Sequence, residues 1–256
     1  MDSREYLKRI NYQGSLEPTF QTLQALHHAH LLAVPFENLS IHWKQPILLQ
    51  EEALFHKIVR QGRGGLCYEL NGLFAWLLRE LNFQVTLLSA GVSTSAGGFS
   101  PEFDHLTLLI HHLSGADWLA DVGFGDSFLR PLRFEAEMQQ DGGDRRTYRL
   151  LRTSQEKHDG WTVQQRGDAQ WESQYRFTLQ SHELADFTER CQYQQTSPES
   201  HFTQKRICSL ATPTGRITLS DMRLITTRHG ERQEQMLTSQ EEYVAALAEH
   251  FGIVLL

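Results

Sequence analysis

Apolar residues follow a helical period in the first third of the chain and then change period. Phe20, Leu23, Leu26 and Leu31, with His27 and His30 beside them, predict one helix. It must stop before Val34, because Pro35 pushes its predecessor out of the helical region. Leu54, Phe55 and Ile58 put a second helix over residues 51–61, with Gly62 as its stop. After Gly64-Gly65, the positions Cys67, Leu70, Phe74, Leu77, Leu78 and Leu81 predict a third, ending near Asn82. Past residue 83 the runs 84–92, 104–113 and 117–124 are strand-like and separated by Gly- and Ser-rich turns. Further strand candidates cover 147–153, 160–166, 171–178, 205–211 and 216–219. Several have helix-free connections, which favours an antiparallel sheet or barrel over βαβ units. Residues 138–146 are polar and Gly-rich and are expected to form a loop. Ser239 with Glu242 resembles a capping box, opening a last helix through Tyr243, Leu247 and Phe251. No internal repeat or low-complexity tract is present. The pattern is that of an α+β protein.

Composition narrows the class. At 256 residues, with 40% hydrophobic and 21% charged residues, the chain has the make-up of a soluble globular protein. No apolar run reaches the roughly 18–20 residues that a membrane span needs. Met1-Asp2-Ser3-Arg4-Glu5 lacks the basic-then-apolar pattern of a secretory signal. A cytoplasmic protein without a membrane partner is therefore expected. A net charge of −7 with no basic stripe argues against nucleic acid. An anionic ligand would need a local cationic or helix-terminus site. The three cysteines, Cys67, Cys191 and Cys208, are spaced too widely and irregularly for a disulfide framework or a zinc site. His27 and His30 could share a helix face, but no carboxylate or cysteine accompanies them, so no metal is expected. With His28, His111 and His112 they are read as surface or satisfied core residues.

Candidate chemistry concentrates around Cys67. In Arg63-Gly64-Gly65-Leu66-Cys67-Tyr68-Glu69-Leu70-Asn71, two glycines permit backbone angles and close approaches that side chains forbid. The cysteine then falls on the first turn of a helix, where free N–H groups and the macrodipole favour a thiolate. A nucleophile needs a base, and the base an orienter. His105 opens the run 104–113, and Asp121 lies in Leu119-Ala120-Asp121-Val122-Gly123-Phe124-Gly125, where a carboxylate is costly to bury without a partner. A two-residue turn at Ser114-Gly115 pairs His105 with Phe124 and Leu108 with Asp121, leaving His105 and Asp121 on opposite faces. A three-residue loop restores the shared face but displaces the two along the strands. Contact requires a bulge or strong twist.

Taken in order, these segments resemble the arylamine N-acetyltransferase family. The resemblance rests on residues 63–71, on Asp104-His105-Leu106, on Asp121-Val122-Gly123-Phe124-Gly125, on Val34-Pro35-Phe36-Glu37-Asn38-Leu39 and, more weakly, on Ser197-Pro198-Glu199-Ser200-His201-Phe202. It implies an N-terminal helical bundle (1–83) carrying the nucleophile. A central antiparallel β-barrel (84–190) would carry His and Asp, and an α/β lid (191–256) would follow. It also implies a cysteine-protease-like triad of Cys67, His105 and Asp121. In a ping-pong reaction, acetyl-coenzyme A would acylate Cys67, and an arylamine, arylhydrazine or N-hydroxyarylamine would take the acetyl group. No metal is implied. Phe36, Phe124 and Phe202 match positions lining the acceptor pocket, and Gly123 and Gly125 would admit the thioester arm. Glu37 and Arg63 are expected to pair near the site. Two other functions fit the same residues: a thiol hydrolase or transglutaminase-like enzyme, and a non-catalytic member that binds an aromatic ligand.

Overall fold

The computed structural model describes residues 1–155, 158–167 and 170–254. The N-terminal part holds helices α1 (Ser3–Arg9), α2 (Phe20–Ala33), the short α3 (Leu39–His42) and α4 (Glu51–Phe55), which runs into a π turn, His56–Arg60. Thr19 caps α2, and Val34 leaves the helical region as the following proline requires. Helix α5 (Cys67–Glu80) is the centre of the molecule: every residue from Cys67 to Leu78 is buried. Its apolar pattern suggested one buried stripe, yet the polar positions Glu69 and Asn71 are enclosed as well.

The barrel is an antiparallel eight-stranded sheet of β2 (Val85–Val92), β3 (His105–Leu113), β4 (Ala116–Ala120), β5 (Leu132–Arg133), β6 (Gln140–Asp141), β7 (Thr147–Gln155), β8 (His158–Arg166) and β9 (Trp171–His182). Their spatial order is β5-β4-β3-β2-β9-β8-β7-β6. The two ends nearly close. The Gln140 side chain stands in for a strand, accepting from Arg133 N–H at 2.7 Å and donating to Arg133 O at 3.0 Å. Residues 138–146, expected to be loop, thus contain the short strand β6. The barrel interior is lined by Leu88, Leu109, Leu119, Tyr148, Val163 and Tyr175.

Register decides the site. Leu113 pairs with Ala116 across Ser114-Gly115, both with positive φ (53° and 76°), as a two-residue hairpin turn demands. Further along, the pairing is Ile110 with Trp118 and Leu108 with Ala120, so β3 carries one extra residue between Ile110 and Leu113. Asp117 pins this bulge, accepting from the His112 N–H at 2.9 Å and contacting His111 Nδ1 at 3.2 Å. The bulge shifts the parity by one and brings Asp121 to the face of His105. The run expected to reach residue 124 as a strand ends at Ala120, leaving Asp121 on the loop that follows.

A second antiparallel sheet, β1-β10-β11-β12-β13, joins Phe36–Glu37 (β1) to Ile207–Thr212 (β10), Gly215–Ser220 (β11), Arg223–Arg228 (β12) and Glu231–Met236 (β13). Helix α8 (Gln240–Phe251) packs on it through Tyr243, Leu247 and Phe251. Ser239 caps α8 by accepting from Glu242 N–H, while the Glu242 carboxylate reaches back to Thr238 N–H. A 3-10 turn (Leu184–Phe187), α6 (Thr188–Thr196) and α7 (His201–Gln204) connect the barrel to this sheet.

Candidate active site

Cys67 is the first residue of α5 and only 6% exposed. The glycines before it serve close approach. A side chain at Gly64 would lie 1.9 Å from Pro35 O, and Gly65 pairs with Phe36, its carbonyl accepting from the Glu37 N–H at 3.0 Å. The Pro35-Phe36-Glu37 block therefore seats directly on the turn that aims the cysteine. Buried ions brace the same turn. Glu69 accepts from Leu66 N–H (2.9 Å) and from Lys57 Nζ (2.7 Å). Arg63 donates Nε and Nη2 to Glu37 Oε1 at 3.0 and 2.7 Å, and its guanidinium stacks over Trp43. Burial opposes ionisation of Glu37, but Lys57 and Arg63 outweigh it and hold its pKa below the usual value. The expected Glu37–Arg63 pair is thus present.

His105, Asp121 and Cys67 come together, all nearly inaccessible to solvent. His105 Nε2–H donates to Asp121 Oδ2 at 2.7 Å. Burial would lower the imidazole's pKa, but the Asp121 charge and hydrogen bond, with further contributions from Cys67, push it up to about 10. His105 is therefore a cation at neutral pH, and Cys67 is among the groups whose interactions favour that charge. The Cys67 thiol also approaches Asp104 O at 4.0 Å. Asp121 stays ionised: burial raises its pKa, and His105, Asn71 and the Gly123 N–H lower it further than burial raises it. The other cysteines differ. Burial pushes the Cys191 and Cys208 thiols well up, so both remain neutral.

Asn71, one helical turn beyond Cys67, is a functional residue that the apolar pattern concealed. It donates to Leu106 O (2.6 Å) and Asp121 Oδ1 (2.9 Å) and accepts from Val122 N–H (2.9 Å). A polar residue four positions after the cysteine, on a helix otherwise apolar, was the available signal. Gly123 packs onto the same place: a side chain there would lie 2.7 Å from both Asn71 Nδ2 and Cys67 Cα.

The three phenylalanines are half-buried around the site. Phe124 lies edge-on to His105, with centroids 5.2 Å apart, and Phe36 faces Phe202 at 5.9 Å and borders Gly125. Phe202 sits on α7, clamped by Asn38, whose Nδ2 donates to Phe202 O (2.9 Å) and Lys205 O (2.7 Å). At the other end of α7, Ser200 accepts from Phe202 N–H and bonds Gln194, which in turn meets Asp104. Among the described residues no cluster of histidine, cysteine and carboxylate could hold a metal ion, and no helix is long and apolar enough to cross a membrane.

A family model described as N-acetyltransferase matches residues 19–256. The arylamine N-acetyltransferase of Escherichia coli K12 is 33% identical, covering 97% of this chain and 87% of that protein. The chain belongs to the arylamine N-acetyltransferase family. Another relative in that family, the arylamine N-acetyltransferase / N-hydroxyarylamine O-acetyltransferase of Salmonella typhimurium, is 34% identical over 90% of this chain and 81% of its own. Among solved structures, the Mycobacterium marinum arylamine N-acetyltransferase in complex with CoA superposes with a TM-score of 0.89. It is 31% identical, over 98% of this chain and 93% of that one. The α+β fold with its antiparallel barrel is thus that of the family's solved members.

Proposed function

We propose that the protein is an acetyl-CoA-dependent arylamine N-acetyltransferase that works through an acetyl thioester on Cys67. The observation that carries this is the buried cluster of Cys67, His105 and Asp121, in which the carboxylate holds His105 Nε2 at 2.7 Å and both neighbours favour the imidazolium. A cationic neighbour and a helix N-terminus both favour the thiolate. The Cys67 thiolate attacks the thioester carbonyl, and the tetrahedral oxyanion is stabilised by N–H groups of the first turn of α5. Such donors are worth about 3 kcal/mol each. The bond to the departing sulfur breaks, and His105 supplies the proton that the coenzyme thiol carries away. In the second half-reaction the amine nitrogen attacks the acetyl carbon, His105 takes its proton, and Cys67 leaves as thiolate. Asp121 keeps the imidazole oriented through both steps.

Phe36, Phe124 and Phe202 supply apolar walls suited to an aromatic acceptor, an arylamine, arylhydrazine or N-hydroxyarylamine. Gly123 and Gly125 border the path of the thioester arm. Beyond Gly125 lies a cleft of about 400 Å³ between the barrel and the β10–β11 turn, where Arg145, Arg146 and Arg216 face Asp126 and Asp144. Three cations against two carboxylates fit the phosphates of coenzyme A. The helices of 1–83, the barrel of 84–190 and the 191–256 segment would then each contribute one part: nucleophile, base with orienter, and lid. We read the protein as cytoplasmic.

Mass spectrometry after incubation with acetyl-CoA tests this. An acetyl adduct is expected on Cys67, discharged faster by added arylamine than by water. Discharge to water at an equal rate favours a thiol hydrolase, and no adduct at all favours a binding protein. Cys67→Ala and Cys67→Ser should lower transfer by about 10⁴-fold or more while the protein stays folded.

A further inference from the structure

His27 belongs to none of the catalytic segments, yet it touches the one that holds Asp121. It sits in the middle of α2, fully buried. Its Nδ1 is 3.2 Å from Leu129 O, and a carbonyl only accepts, so Nδ1 carries the proton. In a neutral ring Nε2 is then a bare acceptor, and the Asp121 N–H donates to it across 3.1 Å. The Asp121 carbonyl is equally near Nε2, but could bond it only with the ring charged. Burial opposes that charge and pulls the His27 pKa down to about 4. Asp121, His28 and His30 are the titratable groups that act on or respond to the ring. Two aromatic rings fix its plane: Phe128 stacks at 5.9 Å and 6°, and Phe74 meets it edge-on at 6.2 Å.

Asp121 lies just past the end of β4, so its backbone is no longer held by the strand ladder. Its carboxylate is fixed by Asn71 and by Gly123 N–H, both from the side of α5 and the loop. Its main chain is fixed by α2.

We propose that His27 is a positioning residue for acyl transfer, its neutral imidazole pinning the Asp121 backbone so that the carboxylate keeps its contact with His105. This rests on Asp121 being the orienting acid. Asparagine and glutamine separate the two ring bonds. His27→Asn places an amide where Nδ1 lies, retaining the Leu129 bond and abandoning Asp121. His27→Gln reaches the Nε2 position and retains the Asp121 bond.

The test measures the rate of Cys67 acetylation, the pH dependence of Cys67 alkylation by iodoacetamide, and Tm, for both variants. His27→Gln should stay within about threefold of the parent. His27→Asn should acetylate at least about thirtyfold more slowly and shift the alkylation midpoint upward by about one pH unit, at a Tm close to that of His27→Gln. A His27→Asn protein with parental acetylation and alkylation profiles would overturn the proposal. Should either variant fail to fold, ¹⁵N NMR of histidine-labelled parent protein decides. The expected His27 signal is neutral and protonated at Nδ1 at pH 6 and above, whereas an Nε2–H tautomer or a charged ring sinks the idea. Absence of any acetyl adduct in the parent would instead count against the transferase, and the alkylation and NMR results would still judge His27.

Discussion

His105 carries its proton at neutral pH because Asp121 and Cys67 together outweigh the cost of burying a cation. The sign of the resulting pH dependence follows from two opposite shifts. His105 is raised from 6.5 to about 10, so its contribution to stability is complete below pH 6.5 and fades as pH climbs through 10. Asp121 is depressed, so its contribution is present above the ordinary carboxylate range and is lost on acidification through its lowered pKa. Between these limits the pair is intact and Cys67 faces a cation. The His105 ring should therefore stay protonated from about pH 6 to 9 in ¹⁵N NMR of histidine-labelled protein. A ring that loses its proton near the ordinary value of about 6.5 would contradict the ion pair. Asp121→Asn removes the charge that holds the imidazolium. Transfer should fall by about 10⁴-fold, and His105 should lose its proton at a lower pH than in the parent. Full activity in Asp121→Asn would show that another group orients the base.

At the scale of elements, the single extra residue in β3 decides whether the site exists. A regular hairpin closed by Ser114-Gly115 puts Asp121 behind the sheet from His105, and the bulge at His111-His112 brings it round. Deleting His112 should restore the regular ladder and turn Asp121 away. Circular dichroism is expected to show a folded protein whose transfer rate is lower by about the same 10⁴-fold as Asp121→Asn. Retained activity would mean that the loop after Ala120, and not the bulge, sets the Asp121 side chain. This bulge also marks where the sequence stopped being informative. Helix α2, the start of α5 and the Ser239 cap follow from local spacing and capping chemistry, and lie where expected. The need for a bulge was deducible from parity, but not its place, because it depends on a carboxylate, Asp117, reaching a backbone N–H five residues away. Strand β13 is exposed along its whole length, and α6 buries only Cys191 and Gln194, so neither shows an apolar period. Asn71 and His27 escaped for the converse reason. Each is a polar residue in a fully buried setting, and its partners are distant in sequence.

Across the whole molecule, the barrel and the second sheet meet along a seam that Arg145 crosses to donate to His229 Nδ1 at 2.9 Å. The neighbouring cations are committed, Arg146 to Asp126 and Asp144 and Arg216 to Asp126. Arg145 is exposed and bonds a histidine, so a phosphate can recruit it without breaking an ion pair. Its replacement also leaves the buried network whole. If the seam receives the nucleotide end of coenzyme A, Arg145→Ala should raise KM about tenfold for acetyl-CoA, about 1.4 kcal/mol of charge-assisted contact. It should leave KM for S-acetylpantetheine, which has no nucleotide, as it was. Binding of desulfo-coenzyme A, followed by calorimetry, should weaken by a similar factor and lose much of its salt dependence. Equal shifts for the two donors would place the effect at the thioester end. No shift for either would send the nucleotide to another part of the surface, while Cys67 chemistry stayed unaffected.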